Sequence, residues 1–518
     1  MTPKPVRRSI GLPNKEVFMD TLQIGSRREV CWDELLMDTC EGVRVQMHRP
    51  EYKGVALELG ELWEGNGSGG YYCLLQVNGT FRLYYRGLSF PTMTNGKYNP
   101  GNTAVWCLAE SKDGKTFTRV PLNLERYGGR IDNNIIPLPF DARKRGSQFI
   151  FRDTNPKCPA DELYKALIET REQTLDYYKS SDGVHFERVR TLADDGAYDS
   201  MNVALWDDKT QQYYLFYRGV HGYATVDGKW TDAAATADHN DGVTRDIRVR
   251  TSKDFVNWDT PRQITFDPVR DDVDLYINDI QKYYRADHMF IGFPVRYQDR
   301  YQDGQQNYDQ LPGYENRTWL YQNRLPRIGT VITEALVMTS RDGESYRRTE
   351  EAFLTPGIES LDNWIYGDGY FAYGMAQTSS DIPGAPDEIS MYATRGYMGE
   401  NLRICRYTVR LDGFFSWRAD YCGGKVLTKP FVFQGDTLKI NFATSGAGHV
   451  QFRFADKDGN LLEGYDSGKV FGDTVDRKVF FPKSLAELAG KEVRMEISMK
   501  DADLYSFKFD TEVTWCGK

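Results

Sequence analysis

The feature that most narrows the fold is a short stretch that recurs. Ser111-Lys-Asp113-Gly114-Lys-Thr-Phe117-Thr-Arg119 returns as Ser180-Ser-Asp182-Gly183-Val-His-Phe186-Glu-Arg188 and as Ser340-Arg-Asp342-Gly343-Glu-Ser-Tyr346-Arg-Arg348. Two looser copies are Ser252-Lys-Asp254-Phe-Val-Asn-Trp258 and Arg410-Leu-Asp412-Gly413-Phe-Phe-Ser-Trp417. From Asp to Asp the steps are 69, 72, 88 and 70 residues. A period that steady marks a repeat architecture, in which each unit buries its faces only by stacking on its neighbours.

A second pattern falls between these turns. Phe81–Gly87, Tyr164–Glu169, Tyr213–Gly219, Phe290–Tyr297 and Ile389–Gly396 are rich in aromatic and β-branched residues, as half-buried strands are. The Asp-Gly pairs supply the positive φ that a tight hairpin needs. Each repeat then reads as an antiparallel sheet of about four strands, and five of them close into a five-bladed β-propeller. The alternative is a plain β-sandwich with recurrent Asp-Gly turns. Past residue 425, alternating strands between Gly/Asp turns (437–442, 450–454, 493–498 and 504–509) predict a separate β-sandwich. The expected organisation is all-β: a segment 1–60 that can close the ring, a propeller over 61–420 and a sandwich over 425–518.

Composition excludes several classes. The net charge is −9 and no basic block occurs, which disfavours nucleic acid and anionic membranes as partners. No apolar run is long enough to span a bilayer. The eight cysteines show no Cys-x-x-Cys spacing, so a zinc site is not expected, and Cys73 and Cys107 read as buried thiols. Free thiols and an N-terminus without a signal-peptide core point to the cytoplasm, or to periplasm or secretion if a leader was removed. Two insertions stand out. Residues 221–246 read as a loop, and 297–330 carry six aromatic residues suited to a pocket wall or, in a homo-oligomer, a subunit contact.

In a propeller the innermost strands line a central funnel, and polar groups beside them are the natural site candidates. Blade by blade these are Trp63-Glu64-Gly-Asn-Gly, Phe151-Arg152-Asp153-Thr-Asn155, Tyr198-Asp199-Ser-Met-Asn202, Asp274-Leu-Tyr276-Ile-Asn278-Asp279 and Asn363-Trp364-Ile-Tyr366-Gly-Asp368, which runs on to Tyr373. Each blade offers an acid. Converging carboxylates suit glycosidic-bond hydrolysis, in which one protonates the leaving oxygen and another activates water or attacks the sugar. Asn and Arg hold hydroxyls, and aromatic faces stack on sugar C–H surfaces. Asp113, Asp182, Asp342 and Asp412 read as turn residues instead.

Five blades followed by a β-sandwich resembles glycoside hydrolase family 32, the invertase–fructanase group, and its relatives in families 43, 68 and 117. Phe151-Arg152-Asp153 is similar to that group's Arg-Asp-Pro stretch, whose Asp stabilises the transition state, and Glu64 and Asp199 correspond by position to its other two acids. The group's Trp-Met-Asn-Asp-Pro-Asn-Gly opening and its Glu-Cys pair are absent. The whole chain also resembles bacterial propeller proteins carrying Trp-Glu-Gly-Asn, Asp-x-Asn-Pro, Asp-Ser-x-Asn and a terminal Asp-Ala-Asp-Leu-Tyr-Ser-Phe, here Asp501 to Phe507. The resemblance implies an exo-acting glycoside hydrolase on a carbohydrate substrate, with Asp153, Asp199 and Glu64 catalytic. Arg152, Asn155, Asn202, Tyr276, Asn278, Arg296, Trp364, Asp368 and Tyr373 would bind substrate. No cofactor is required, although an acid-lined funnel admits a structural cation. The alternatives are a non-catalytic carbohydrate-binding propeller and a phosphorylase or lyase on the same scaffold. A phosphorylase would draw its cationic pocket from Arg152, Arg296 and Arg395.

Overall fold

The computed structural model describes residues 21–511, apart from 95–96, 100, 139–147, 171–173, 223–224, 227–228, 231–242, 301–307, 324–325 and 400. Much of the 221–246 insertion, as well as Tyr301 and Cys516, lies outside the described residues. Each repeat forms one antiparallel sheet, and the five sheets make a β-propeller. From the centre outward, blade 1 is Cys73–Val77, Thr80–Gly87, Val105–Ser111 and Thr118–Arg119. Blade 2 is Gln148–Arg152, Tyr164–Glu169, Leu175–Ser180 and Glu187–Ala193; blade 3 is Val203–Asp207, Gln212–Gly222, Val243–Ser252 and Arg262–Gln263. Blade 4 runs Gln281–Lys282, Phe290–Gly292, Met338–Ser340 and Ser345–Arg348, with Thr265–Phe266 added in parallel outside. Blade 5 is Ala376–Thr378, Glu388–Arg395 and Arg403–Arg410, and its outermost strand is Glu51–Glu58. An early segment thus covers the edge of the last blade, which would otherwise offer unpaired N–H and C=O groups to another chain.

In blades 1 to 4 the recurring stretch is the turn between the third and fourth strands. In blade 2 the Gly183 N–H donates to Ser180 Oγ at 2.9 Å and the Val184 N–H to Asp182 Oδ1 at 2.8 Å; blades 1 and 4 repeat both bonds. These aspartates hold turns, as their spacing predicts. Gly183 has φ +77°, and a Cβ there would meet the Tyr84 hydroxyl of blade 1 at 2.5 Å. The turn is therefore also a blade-to-blade contact. Blade 3 departs from the pattern, because Phe255 takes the glycine's place with φ +61°. That conformation costs a non-glycine residue about 1–2 kcal/mol. Burying the Phe255 ring among Phe151, Tyr177, Tyr213 and Trp258 contributes about 2–3 kcal/mol, enough to offset it.

The 297–330 insertion is built on a hairpin, Val295–Asp299 against Val331–Ala335, with helical segments Tyr314–Asn323 and Pro326–Thr330 between its arms. Leu320 and Ile328 enter the buried cluster that holds Ile365, Tyr397 and Leu402. Pro294 separates this hairpin from the blade strand Phe290–Gly292, so Phe290–Tyr297 is two strands and not the single one expected.

The C-terminal β-sandwich is an eleven-stranded sheet in which Thr437–Ala455 and Glu492–Asp510 pair along most of their length. Phe431, Phe433, Phe452, Phe454 and Phe509 fill its core. It also takes in Leu22–Gly25, Glu29–Val30, Met37–Glu41 and Val43–Met47. The two compact units are 1–46 with 416–518, and 47–415, instead of cuts at 60, 420 and 425. The expected 1–60 segment divides between them. Among the described residues no helix is long and apolar enough to cross a membrane, and Cys73 and Cys107 are buried thiols.

Candidate functional site

All five inner strands run the same way, so the segments leading into them share one mouth of the channel, called here the front mouth. Blade 3 brings Tyr198–Asn202 there, blade 4 brings Asp274–Asp279, and blade 5 brings Asn363–Tyr373. Second strands run back toward the same mouth, and theirs end in a recurring arginine before glycine: Arg86, Arg218 and Arg395 in blades 1, 3 and 5.

The cluster centres on Tyr276. The Arg218 guanidinium lies over its ring with the carbon 5.1 Å from the centroid, and that of Arg245 lies at 5.7 Å. Each arginine holds a carboxylate. Arg218 pairs with Asp199, and Arg245 donates to Asp274 Oδ1 at 3.2 Å through its side chain and 2.8 Å through its backbone N–H. The Arg218 side chain is 5% exposed, whereas that of Asp199 is 42% exposed. A buried cation thus presents an accessible acid. Around them the Tyr276 hydroxyl shares a 2.7 Å hydrogen bond with Tyr366, Tyr297 stacks on Tyr276 at 5.8 Å, and the Tyr71 hydroxyl donates to the Asp199 carbonyl at 3.3 Å. Arg86 lies over the Tyr71 ring at 5.2 Å. Burial, with Tyr276 and Tyr366 nearby, holds the Tyr71 phenol well above its ordinary pKa, so it stays a hydrogen-bond donor.

Asn202 and Asn278 brace this cluster from beneath. Asn202 Nδ2 donates to the carbonyls of Tyr198 and Ser200, and Asn278 Nδ2 to that of Met201. Ser200 Oγ donates to the Tyr276 carbonyl at 2.6 Å and ties the blade 3 and blade 4 segments together. Both asparagines are buried, so they position the loops and do not reach solvent.

The other two predicted acids go elsewhere. Asp153 follows the C-terminal end of the blade 2 inner strand, at the rear mouth. It is buried, ion-paired with Lys165 Nζ at 2.8 Å, and it accepts from the Tyr213 hydroxyl at 2.8 Å. Five strand residues separate its end of the channel from the front, about 16 Å at the usual rise per residue. Asn155 bonds Tyr213 at the same rear site, and Arg152 is exposed beside it. Glu64 precedes the blade 1 inner strand but is buried among the outer strands of that blade, where it accepts from the Gly60 and Glu61 N–H groups, the Tyr85 hydroxyl and Arg119. The three acids therefore do not converge. The reason is loop length: strands one and two are joined by two residues in blade 1 but by eleven in blade 2. Counting back from the tyrosine-rich strand thus lands at the wrong end of blade 2.

Of the remaining candidates, Arg296 is engaged by Glu334 at 2.5 Å, and Trp364 Nε1 donates to the Gly357 carbonyl. Asp368 is wholly buried against Arg395 at 2.9 Å; burial pushes its carboxyl up to about 6 against the pull of that guanidinium. Tyr373 packs on Phe149 at 4.8 Å, and its backbone bridges Tyr72 and Leu74. Arg152, Arg296 and Arg395 are thus not gathered into a pocket. The arginines that lie over the tyrosine rings of this cluster are Arg86, Arg218 and Arg245. Two of the site's residues were legible as the recurring Tyr-Arg-Gly ending, Tyr85-Arg86-Gly87 and Tyr217-Arg218-Gly219; Arg245 has no such signal.

For a structural cation in the funnel, the best-placed acid is Asp279. It is fully buried, neither carboxylate oxygen has a hydrogen-bond partner among the described residues, and burial pushes its carboxyl well up toward the neutral form. A hard cation asks for six to eight oxygens, and among the described residues no three His, Cys, Asp or Glu gather to supply them. The donor set does not fit.

No family model matches the chain, and no curated protein matches it. Solved structures do. An α-L-arabinanase from Penicillium chrysogenum complexed with arabinobiose is 11% identical with a TM-score of 0.38, covering 71% of this chain and 99% of that one. A β-1,2-mannobiose phosphorylase from Listeria innocua is 11% identical with a TM-score of 0.38, covering 69% and 95%. An N-acetylgalactosamine deacetylase from F. plautii is 13% identical with a TM-score of 0.37, covering 76% and 96%. Likenesses this distant reach no further than the fold. Function has to come from the residues of the site itself.

Proposed function

We propose that this chain is a carbohydrate-active enzyme that hydrolyses a glycosidic bond at the front mouth of the propeller. One observation supports the reading above all: two carboxylate–guanidinium pairs, Asp199–Arg218 and Asp274–Arg245, stand on a single tyrosine ring. Asp199 is the accessible acid, placed to activate water or attack the anomeric carbon, and Asp274 holds Arg245 over the same ring, where that guanidinium is placed to hydrogen-bond the leaving oxygen. Tyr366, part-exposed against the buried Tyr71, Tyr276 and Tyr297, provides an aromatic face and a hydroxyl of the kind a pyranose or furanose ring needs. Arg218 and Arg86 hold the loops and orient hydroxyls.

The test is a screen of aryl glycosides and plant and bacterial oligosaccharides with the intact chain and Asp199→Asn. Turnover that falls by about 10²–10⁴ in the variant, with unfolding unchanged, supports the assignment. Release of single sugars marks an exo mode. Turnover that Asp199→Asn leaves intact overturns it.

A second reading has one observation in its favour. Three guanidinium groups, Arg86, Arg218 and Arg245, gather at this mouth, and a phosphorylase uses such groups to hold phosphate. Turnover that depends on added inorganic phosphate would select it.

A further inference from the structure

Outside the tyrosine cluster, between blades 3 and 4, lies a partly enclosed cavity of about 80 Å³. A water needs roughly 10–15 Å³ of such space, so several waters or one small oxyanion fit. Arg245 lines it while lying over Tyr276, which makes this cavity the immediate neighbour of the front mouth.

Three guanidinium groups, Arg245, Arg270 and Arg348, and three carboxylates, Asp246, Asp271 and Asp272, line it, but they are not paired one to one. The Arg348 side chain is 1% exposed, and its Nε has no hydrogen-bond partner among the described residues. It donates to the Asp271 carbonyl at 2.8 Å, its face covers Phe266, and its nearest carboxylate oxygen belongs to Glu350 at 3.4 Å. Arg270 Nε also lacks a hydrogen-bond partner, and it too faces only Glu350, at 3.6 Å. Two guanidinium groups thus share one Glu350 carboxylate oxygen, Arg348 Nη2 through a long 3.4 Å hydrogen bond and Arg270 Nε at 3.6 Å, both beyond the usual length of a charge-assisted bond. The other acids of the wall are engaged or turned outward. Asp246 meets His221 and Arg248, Asp272 meets His221, and the Asp271 residue is exposed. Burial also lowers the Arg348 pKa, the direction for a cation whose lost hydration has not been replaced.

We propose that this cavity binds an oxyanion, with Arg348 and Arg270 as its principal donors. The anion is either the carboxylate of an acidic glycan held at the mouth, or a free inorganic oxyanion such as phosphate or sulfate. The glycan source rests on the hydrolase reading; anion binding itself does not. Planar guanidinium groups with free N–H edges match either oxyanion geometry.

The test titrates the intact chain with sodium phosphate, sodium sulfate and sodium galacturonate, with sodium chloride holding ionic strength constant. Binding is read by calorimetry and by the shift in unfolding temperature. Saturable binding that is at least tenfold weaker in Arg348→Met and in Arg270→Met is the expected result. Galacturonate binding identifies the acidic-glycan source, and binding of phosphate or sulfate without galacturonate identifies a free anion. If Arg348→Met does not fold, the half-exposed Arg270→Met and the wild-type titration decide. Shifts matched by chloride alone, or variants that bind as wild type does, overturn the proposal. Anion binding without any glycan turnover would sink the hydrolase reading and leave this one standing; turnover lost in Asp199→Asn with no anion binding would do the reverse.

Discussion

Replacing Asp153 by Asn separates a stabilising acid from a catalytic one. The Lys165 ammonium is 2% exposed, and its partners are the Asp153 carboxylate at 2.8 Å, the Glu162 carboxylate at 3.6 Å, the Glu162 carbonyl at 3.0 Å and Cys158 Sγ at 3.3 Å. In Asp153→Asn the Tyr213 hydroxyl can still donate to the amide oxygen, so the loss falls on the ion pair. A buried charge left without its partner costs about 3–5 kcal/mol. The Glu162 carboxylate, longer and part-exposed, recovers some of this, so the lower end is expected. Lys165→Met alone should cost a similar amount by stranding the carboxylate. The double variant Asp153→Asn/Lys165→Met should cost well under the sum, because it removes both charges. Urea unfolding monitored by tryptophan fluorescence gives the three midpoints and the coupling energy. Additive losses, or an Asp153→Asn midpoint equal to wild type, would refute the claim that this pair holds blade 2.

Three further outcomes follow from the geometry. Gly183→Ala combines a left-handed φ with a 2.5 Å approach to the Tyr84 hydroxyl, so it should destabilise by about 2 kcal/mol or more in the same urea assay. Asp368 has a carboxyl raised to about 6 by burial, so between its unfolded value and pH 6 the folded chain holds a proton that the unfolded chain has released. Its contribution is therefore complete at low pH and is lost as pH rises through 6, a slope that Asp368→Asn should remove from unfolding measured across that window. Tyr276→Phe keeps the ring beneath Arg218 and Arg245 and should hold turnover within about tenfold, whereas Tyr276→Leu removes both cation–π contacts and should lower kcat far more than Phe does.

The architecture was legible because its signals are local. Asp-Gly turns and tyrosine-rich strands each fix a hairpin, and repetition at a steady step leaves a ring of blades as the economical packing. The segment before residue 60 was harder, since Glu51–Glu58 and Leu22–Met47 find their partners 345 or more residues away. The site was only partly legible. Asp199 and Tyr276 lie just ahead of short inner strands, so counting back from the tyrosine-rich strand reaches the same mouth in blades 3 and 4. Asp153 was misplaced because an eleven-residue connection shifts the phase of blade 2, and a buried Asp–Lys pair looks in sequence like a catalytic acid. Glu64 was misread for a related reason: its ligands include Arg119, which sits in the repeat's own turn stretch. Tyr297 belongs to an insertion whose hairpin cannot be inferred from its polar, aromatic composition.

The central claim is that the working acid is at the front mouth and not the rear. It is tested by measuring turnover of the best substrate from the glycan screen with Asp199→Asn and Asp153→Asn side by side, at a temperature where both remain folded. The structure predicts a loss of about 10²–10⁴ in the first and a change of no more than a few-fold in the second. Loss in Asp153→Asn with Asp199→Asn active would contradict it.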